Sequence, residues 1–512
     1  MTSQRASMLL HSAAPDLIPQ DAPADVWNVV QNVGFRNGES VRVSGDTLTM
    51  QGQLTDPRCM VFLESNEIGY WLYAGNDGVF VTDGTTHFDI TPVGGWAPVA
   101  NSIWTATVIA GVGVVNVNSL DPVYWDGVTA NPTVILPGWP AGGRCNAMRA
   151  HKSFLFAIGM ISEGGERVRW SDAAEPGTVP QEWDPTPENL AGDVDLSPLY
   201  SDCLDGLTLR DDFFIYKGQS IWAMSFIGGQ FIFAVRKVFA ERGIVATNAV
   251  TRGLNDEHLF VGFDGDVYLT DGVQVKSILD GRAQRTFYQD FTSEKNAIFS
   301  AVTLPREKVG AIIYPKATSE FGDQMLMYDF ASGDIGFRDT PDVLCAAEGP
   351  ALTDVGDVNQ WDGDDEPWDD DLTAWSFVVS GQTNNDVLMA GSFGFVVGSA
   401  RDGIDFIDGP VHARLEKHGA SFGNAEKYKM INRVWPKLTG RDGDVVTFRI
   451  GGQNITGGPV QWEPPVDFII GSNNHLDVFV TGRYLSMELS SIGGAAWQMG
   501  SLDIEFEEQG GW

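Results

Sequence analysis

A chain of 512 residues exceeds the roughly 250 to 300 at which one core usually stops growing, so two or more packing units are expected. An apolar content of 43% with 16 tryptophans excludes general disorder, while 59 glycines and 25 prolines imply many turns between short segments, as in an all-β protein. Subtracting 68 acidic from 33 basic side chains gives −35, a balance that opposes wrapping around nucleic acid, where Lys and Arg must displace counterions.

The opening "MTSQRASMLLHSAAPD" holds only a short apolar run, too brief for the h-region of a secretory signal, so synthesis and assembly in the cytoplasm are expected. Residues 1–24 read as an N-terminal arm. From Val26 to Gly45, "VWNVVQNVGFRNGESVRVSG" reads as two extended segments around an "RNGE" turn. Strand–turn–strand stretches then recur, beginning at Tyr70, Thr105, Ser153, Leu207, Glu257, Val309 and Asp386, each with a Gly or Asp turn between apolar runs. Their spacing is irregular, about 30 to 75 residues, with long insertions such as the one from Ala173. That is the expected text of a degenerate β-propeller over 25–408, each stretch being one blade that cannot bury its sheet faces alone; a stacked β-sandwich is the alternative. The longest apolar stretch, Ile103 to Val117, is shorter than a bilayer span and β-rich, so no membrane-spanning segment is expected.

From about Gly409 the strands lengthen and alternate, and residues 409–512 are expected to form a β-sandwich-like module packed with the N-terminal strands. Pairing of the two ends of the chain would remove an open sheet edge. Helical periodicity is nearly absent; only Ala425 to Asn432 offers a turn or two. Cys59, Cys145, Cys203 and Cys345 lie far apart, without C-x-x-C spacing, and read as small buried thiols.

Chemistry is hard to seat on this pattern. The seven histidines, His11, His87, His151, His258, His412, His418 and His475, form no H-E-x-x-H or spaced Cys/His ligand set. "GASFG" matches G-x-S-x-G around Ser421, but that elbow needs a strand before it and a helix after it in a parallel sheet. No phosphate-cradling glycine loop occurs in the required context. "SDAAEPGTVPQEW" from Ser171 has a distant likeness to the boxes of sialidase propellers, but its spacing differs and nothing repeats it. No catalytic, cofactor-binding or metal residue is therefore named, and no cofactor is expected.

The most unusual segment is "QWDGDDEPWDDD", from Gln360. Read as an EF-hand loop from Asp362, it places Pro367 where Gly belongs and Thr373 where Glu closes the loop. Looser calcium binding by Asp364, Asp365, Asp369 and Asp370 is one alternative. The other is a solvated connection anchored by Trp361, Trp368 and Trp375.

Four collinear stretches carry a resemblance: "VWNVVQNVGFRNGESVRVSG"; "RVRWSDAAEPGTVPQEWDP" with "ENLAGDVDL"; "LTLRDDFFIYKGQSIWAMSFIGGQFIFAVRKVFAERGIVA" with "EHLFVGFDGDVYLTDG"; and "TGRYLSMELSS" with "WQMGSLDIEFEEQGG". In this order, and with the "WDGDDEPWDDD" tract before the last strands, they resemble the tail nozzle proteins of short-tailed bacteriophages, also called tail tubular protein B or DNA stabilisation protein. The resemblance runs from about residue 25 to the end.

It implies a non-enzymatic, β-propeller-based virion subunit, six copies of which form a ring below the head-to-tail adaptor and extend and gate the DNA ejection channel. Tailspikes or tail fibres are the implied outer partners, and the genome would pass without sequence-specific binding. On this reading Asp362, Asp364, Asp365, Glu366, Asp369, Asp370 and Asp371 are candidates to line the channel, where like charge would keep phosphates from sticking. Six copies at −35 each would carry −210, but with a Debye length of about 8 Å only groups near the lumen would act on DNA. The alternative of another class is a carbohydrate-active β-propeller, a glycosidase or lectin, needing paired carboxylates in a polar pocket.

Overall fold

The computed structural model describes residues 3–50, 56–196, 201–229, 231–290, 298–305, 307–316, 319–350, 352, 385–397 and 405–510. Short antiparallel strands dominate, because β-branched and aromatic runs alternate with Gly, Asn and Asp turns. The chain divides into two compact units. One comprises 48–250 with 342–398; the other comprises 1–47, 251–341 and 399–512.

Among the described residues, seven four-stranded antiparallel meanders follow one another. The first four span 57–89, 104–135, 145–195 and 203–240 and lie in the 48–250 unit. The fifth, 250–277, and the sixth, 300–341, lie essentially in the other unit. The seventh joins the second half of the long strand Ile335–Pro350 to Asn385–Gly391 and Gly394–Val397, and the early strand Thr47–Thr49 completes it. Each strand–turn–strand stretch read from the sequence falls in a different meander. The fold is all-β: a degenerate β-propeller with a C-terminal β-sandwich-like module.

Within the 48–250 unit, successive meanders stack face to face and share cores. Leu72 and Val81 of the first pack with Val115 and Trp125 of the second. Val114 of the second packs with Leu155 of the third and with Trp183, which sits in the long insertion within that meander. Phe156 of the third stacks on Phe213 of the fourth with ring centroids 4.3 Å apart. The first strands of neighbouring meanders are also laced together. Thr105 Oγ1 accepts from the Met148 N–H at 3.1 Å, Thr107 Oγ1 accepts from the Ala150 N–H at 3.2 Å, and Asn146 Nδ2 donates to the Cys203 carbonyl at 3.0 Å. Small polar side chains at these positions satisfy backbone groups that a sheet edge would leave open.

In the other unit, one sheet runs unbroken from the sixth meander through Val33–Arg36 and Glu39–Arg42 into Trp497–Glu508, Lys429–Gly440 and Leu476–Gly482. The "RNGE" turn is a two-residue hairpin loop with Asn37 and Gly38 both at positive φ, 53° and 79°, the geometry that Asn-Gly favours. The N-terminal strand Gln4–Leu9 pairs with residues 501–506 of the last strand. A second sheet, containing His412–Ala420, Tyr484–Ile492 and Val445–Gln453, packs on the first through Leu415, Val434, Phe448, Leu489 and Ile504.

Residues 425–432 form no helix: a bend leads at Lys429 into the strand Lys429–Gly440, whose Ile431 and Val434 enter the sandwich core. The α-helix among the described residues is Gln284–Asp290. Its first N–H groups, on Arg285 and Thr286, donate to the carboxylate of Asp16, a cap supplied from 270 residues away with no local sequence signal. All four cysteines are free and buried. Burial pushes the Cys59, Cys145 and Cys203 thiols up to about 12.

Candidate functional site

The acidic tract Asp362, Asp364, Asp365, Glu366, Asp369, Asp370 and Asp371 lies outside the described residues, as do Trp361, Trp368 and Trp375. Among the described residues, no group of three or more His, Cys, Asp or Glu is arranged to hold a metal ion. Ser421 follows the end of the strand His412–Ala420 and leads to a turn and another strand, so the setting of a nucleophile elbow is not met there. A charged constellation around a buried carboxylate, Asp205 or Glu416, stands in each unit.

The first lies beside the first strands of the meanders in the 48–250 unit. Asp205, on Cys203–Leu209, is fully buried, and Arg149, on Cys145–His151, grips it with two bonds of 2.7 and 2.8 Å. The remaining acceptor positions of Asp205 receive the Gly206 N–H at 2.8 Å and the Asn248 N–H at 2.8 Å. Arg149 also donates to Asn248 Oδ1 at 2.7 Å, and Asn248 Nδ2 donates to the Trp104 carbonyl at 3.0 Å. Both carboxylate oxygens are thus saturated by donors. The network thereby joins three meanders through charge-assisted bonds.

The second lies on the face of the sandwich's second sheet away from its core. Glu416 and Glu488 stand directly opposite each other on neighbouring antiparallel strands. Like charges so placed repel unless bridged, and here they are bridged. Arg414 pairs with Glu416 and reaches Glu488 at 3.2 Å, Arg449 lies 3.8 Å from Glu488, and His418 Nε2 sits 2.7 Å from Glu416. Trp462 closes the group, with the Arg449 guanidinium 5.2 Å from its ring and the His418 ring 5.9 Å away.

Burial pushes the Glu416 carboxyl up. The His418 hydrogen bond and the Arg414 and Arg449 charges outweigh it and hold the group below its ordinary range. A glycosidic acid needs the opposite shift. This carboxylate pair therefore reads as a bridged lattice tying strands together.

Both constellations escaped the sequence reading. The available signal was a charged residue interrupting an apolar strand, as in "NAMRAH" or "ARLEKHG", but nothing local says which distant residue answers it. Lys417, in the second of these, is 2% exposed and donates to the Pro23 carbonyl at 2.7 Å. Lys429 is 0% exposed and donates to the carbonyls of Asn424, Lys427 and Arg483.

No protein-family model matches the chain, and no curated protein matches it in sequence. Among solved structures, it is similar to a fungal alcohol oxidase of the AA5 family in complex with copper, at 11% identity and a TM-score of 0.35, covering 86% of this chain and 90% of that one. It is similar to the extracellular domain of a one-component system from B. thetaiotaomicron at 11% identity and a TM-score of 0.34, over 63% of this chain and 39% of that one. YCF48 from Cyanidioschyzon merolae is similar at 10% identity and a TM-score of 0.34, over 59% of this chain and 91% of that one. Likeness at this level carries no functional argument. Among the described residues, no helix is long and apolar enough to cross a membrane.

Proposed function

We propose that this chain is a non-catalytic structural subunit of a bacteriophage tail nozzle, six copies of which form a ring that extends and gates the DNA ejection channel below the adaptor in the virion tail. The observation that carries the reading is the joining of the chain's two ends in one sheet: Gln4–Leu9 runs along 501–506 over six residue pairs, with Arg5 bound to Asp503 at 2.8 Å. A subunit that must hold while a genome passes gains from having an early and a late strand locked in one sheet. The collinear sequence stretches and the net charge of −35 support it further, since negative walls do not retain a polyanion.

The conduit on this reading lies between copies. Within one chain, the Arg149–Asp205–Asn248 network ties the first strands of three meanders together with paired charge. A ring subunit uses a heterologous interface that closes. Its implied contacts are the adaptor, tailspikes or tail fibres, and passing DNA, held by no sequence-specific contact.

The experiment is charge reversal in the acidic tract, with Asp364, Asp365, Asp369 and Asp370 changed to Lys in assembled particles. Slower genome release supports a lining role for the tract, and unchanged release removes it.

A further inference from the structure

Among the described residues, the first sheet of the sandwich ends in two strands with one partner each. Gln4–Leu9 pairs only with the last strand, and Leu476–Gly482 pairs only with Lys429–Gly440, among the described residues. Of the guards that keep sheets apart, Leu476–Gly482 carries a bulge and Gln4–Leu9 pairs in unbroken register. "QRASML" and "LDVFVTG" hold one charge each, Arg5 and Asp477, and no proline. Regular alternation along Leu476–Gly482 puts Phe479 on the face away from the core, where it is 75% exposed. At the other edge Leu9 is 53% exposed. Large apolar side chains on open strand edges are an invitation to pair.

Strand direction says what pairs with them. The last strand runs antiparallel both to Gln4–Leu9 and to Lys429–Gly440, and Leu476–Gly482 runs antiparallel to the latter. The two open strands of one sheet therefore point in opposite senses. When a second copy is placed head to tail, its Gln4–Leu9 meets Leu476–Gly482 in the antiparallel sense, the commoner pairing.

We propose that Leu476–Gly482 of one copy pairs edge to edge with Gln4–Leu9 of the next, so that the sandwich sheet is the contact that builds the ring. In the centred register Phe479 faces Ser7 and lies diagonal to Arg5 and Leu9. Core-facing Val480 and Val478 then line up with Ala6 and Met8, so both faces of the sheet continue across the junction. The two surfaces differ, so the contact is heterologous and repeats around an axis. This inference rests on the ring reading above but names its own residues.

The test is disulfide trapping. The four native cysteines are buried, so Ser7→Cys and Phe479→Cys together provide a clean pair. Under mild oxidation the double variant should give a ladder of covalent oligomers ending at the closed ring, while each single variant stays uncrosslinked. Dimers from Phe479→Cys alone would mean two-fold self-pairing and overturn the proposal. Rings of wild-type protein with no ladder from the double variant would overturn this contact and leave the ring intact. A ladder running on into filaments would keep the edge pairing and overturn the closed ring. As a second variant, Phe479→Lys should keep the wild-type Tm and raise the concentration for half-assembly by more than about tenfold; unchanged assembly would overturn the contact.

Discussion

Replacing Lys417 with Met should make the protein more stable at neutral pH and remove a pH dependence that the wild type carries. The lysine is 2% exposed, and its ammonium has the Pro23 carbonyl at 2.7 Å as hydrogen-bond acceptor and the Asp25 charge nearby. Burial dominates and pulls its pKa down to about 8. An unperturbed lysine titrates near about 10.4, so the shift corresponds to about 3 kcal/mol by which the folded state disfavours the charged form. Below pH 8 both states are protonated and the whole penalty is present. Between pH 8 and about 10.4 the folded chain has shed the proton while the unfolded chain keeps it, so stability rises with pH. By pH 10 the wild type should have gained about 2.5 kcal/mol relative to pH 7 from this group alone.

The Met variant has no such gain. It loses the hydrogen bond to Pro23, so its advantage at pH 7 should be only about 1 kcal/mol and should reverse by pH 10. Urea midpoints followed by tryptophan fluorescence at pH 7, 8, 9 and 10 measure both chains. A constant gap between wild type and variant across that range would refute the buried-ammonium reasoning.

Other outcomes follow from named contacts. Asp205→Ala strands Arg149 and should cost about 3 to 5 kcal/mol, since it leaves a half-buried guanidinium unpaired; a midpoint within about 1 kcal/mol of wild type in denaturant would contradict it. Trp183→Ala empties a fully buried site against Trp139, whose ring centroid is 4.8 Å away, and should cost about 3 to 5 kcal/mol by the same assay. Asp16→Ala uncaps Gln284–Asp290 and should cost about 1 kcal/mol, with faster amide exchange in that helix; exchange at the wild-type rate would show that the cap does not hold it.

The propeller part of the fold was legible because its units are local. A strand, a Gly or Asp turn and a returning strand lie within about 15 to 25 residues, and apolar runs with turn residues between them mark each. "RNGE" was readable for the same reason: only Asn-Gly-like pairs sit easily at two successive positive φ values. What escaped was made by distant partners. The strand Ile335–Pro350 serves two meanders, Thr47–Thr49 completes a meander nearly 350 residues further along, and the helix at 284 takes its cap from Asp16. Ala425–Asn432 carries helix-compatible residues, but Ile431 and Val434 are buried in the sandwich and tertiary packing overrides the weak local preference. The buried charges Asp205, Lys417 and Lys429, and the half-buried Arg149, look like surface residues in the sequence, and distant partners draw them inward. The acidic tract, the one candidate site read from the sequence, lies outside the described residues.

The most direct measurement is an electron-microscopic reconstruction of the assembled particle with this subunit located in the density. Six copies around the tail axis beneath the adaptor, with the sandwich edges of neighbours in contact, is the expected result. A single copy away from the axis, or a free monomer never incorporated into a particle, would contradict the nozzle reading.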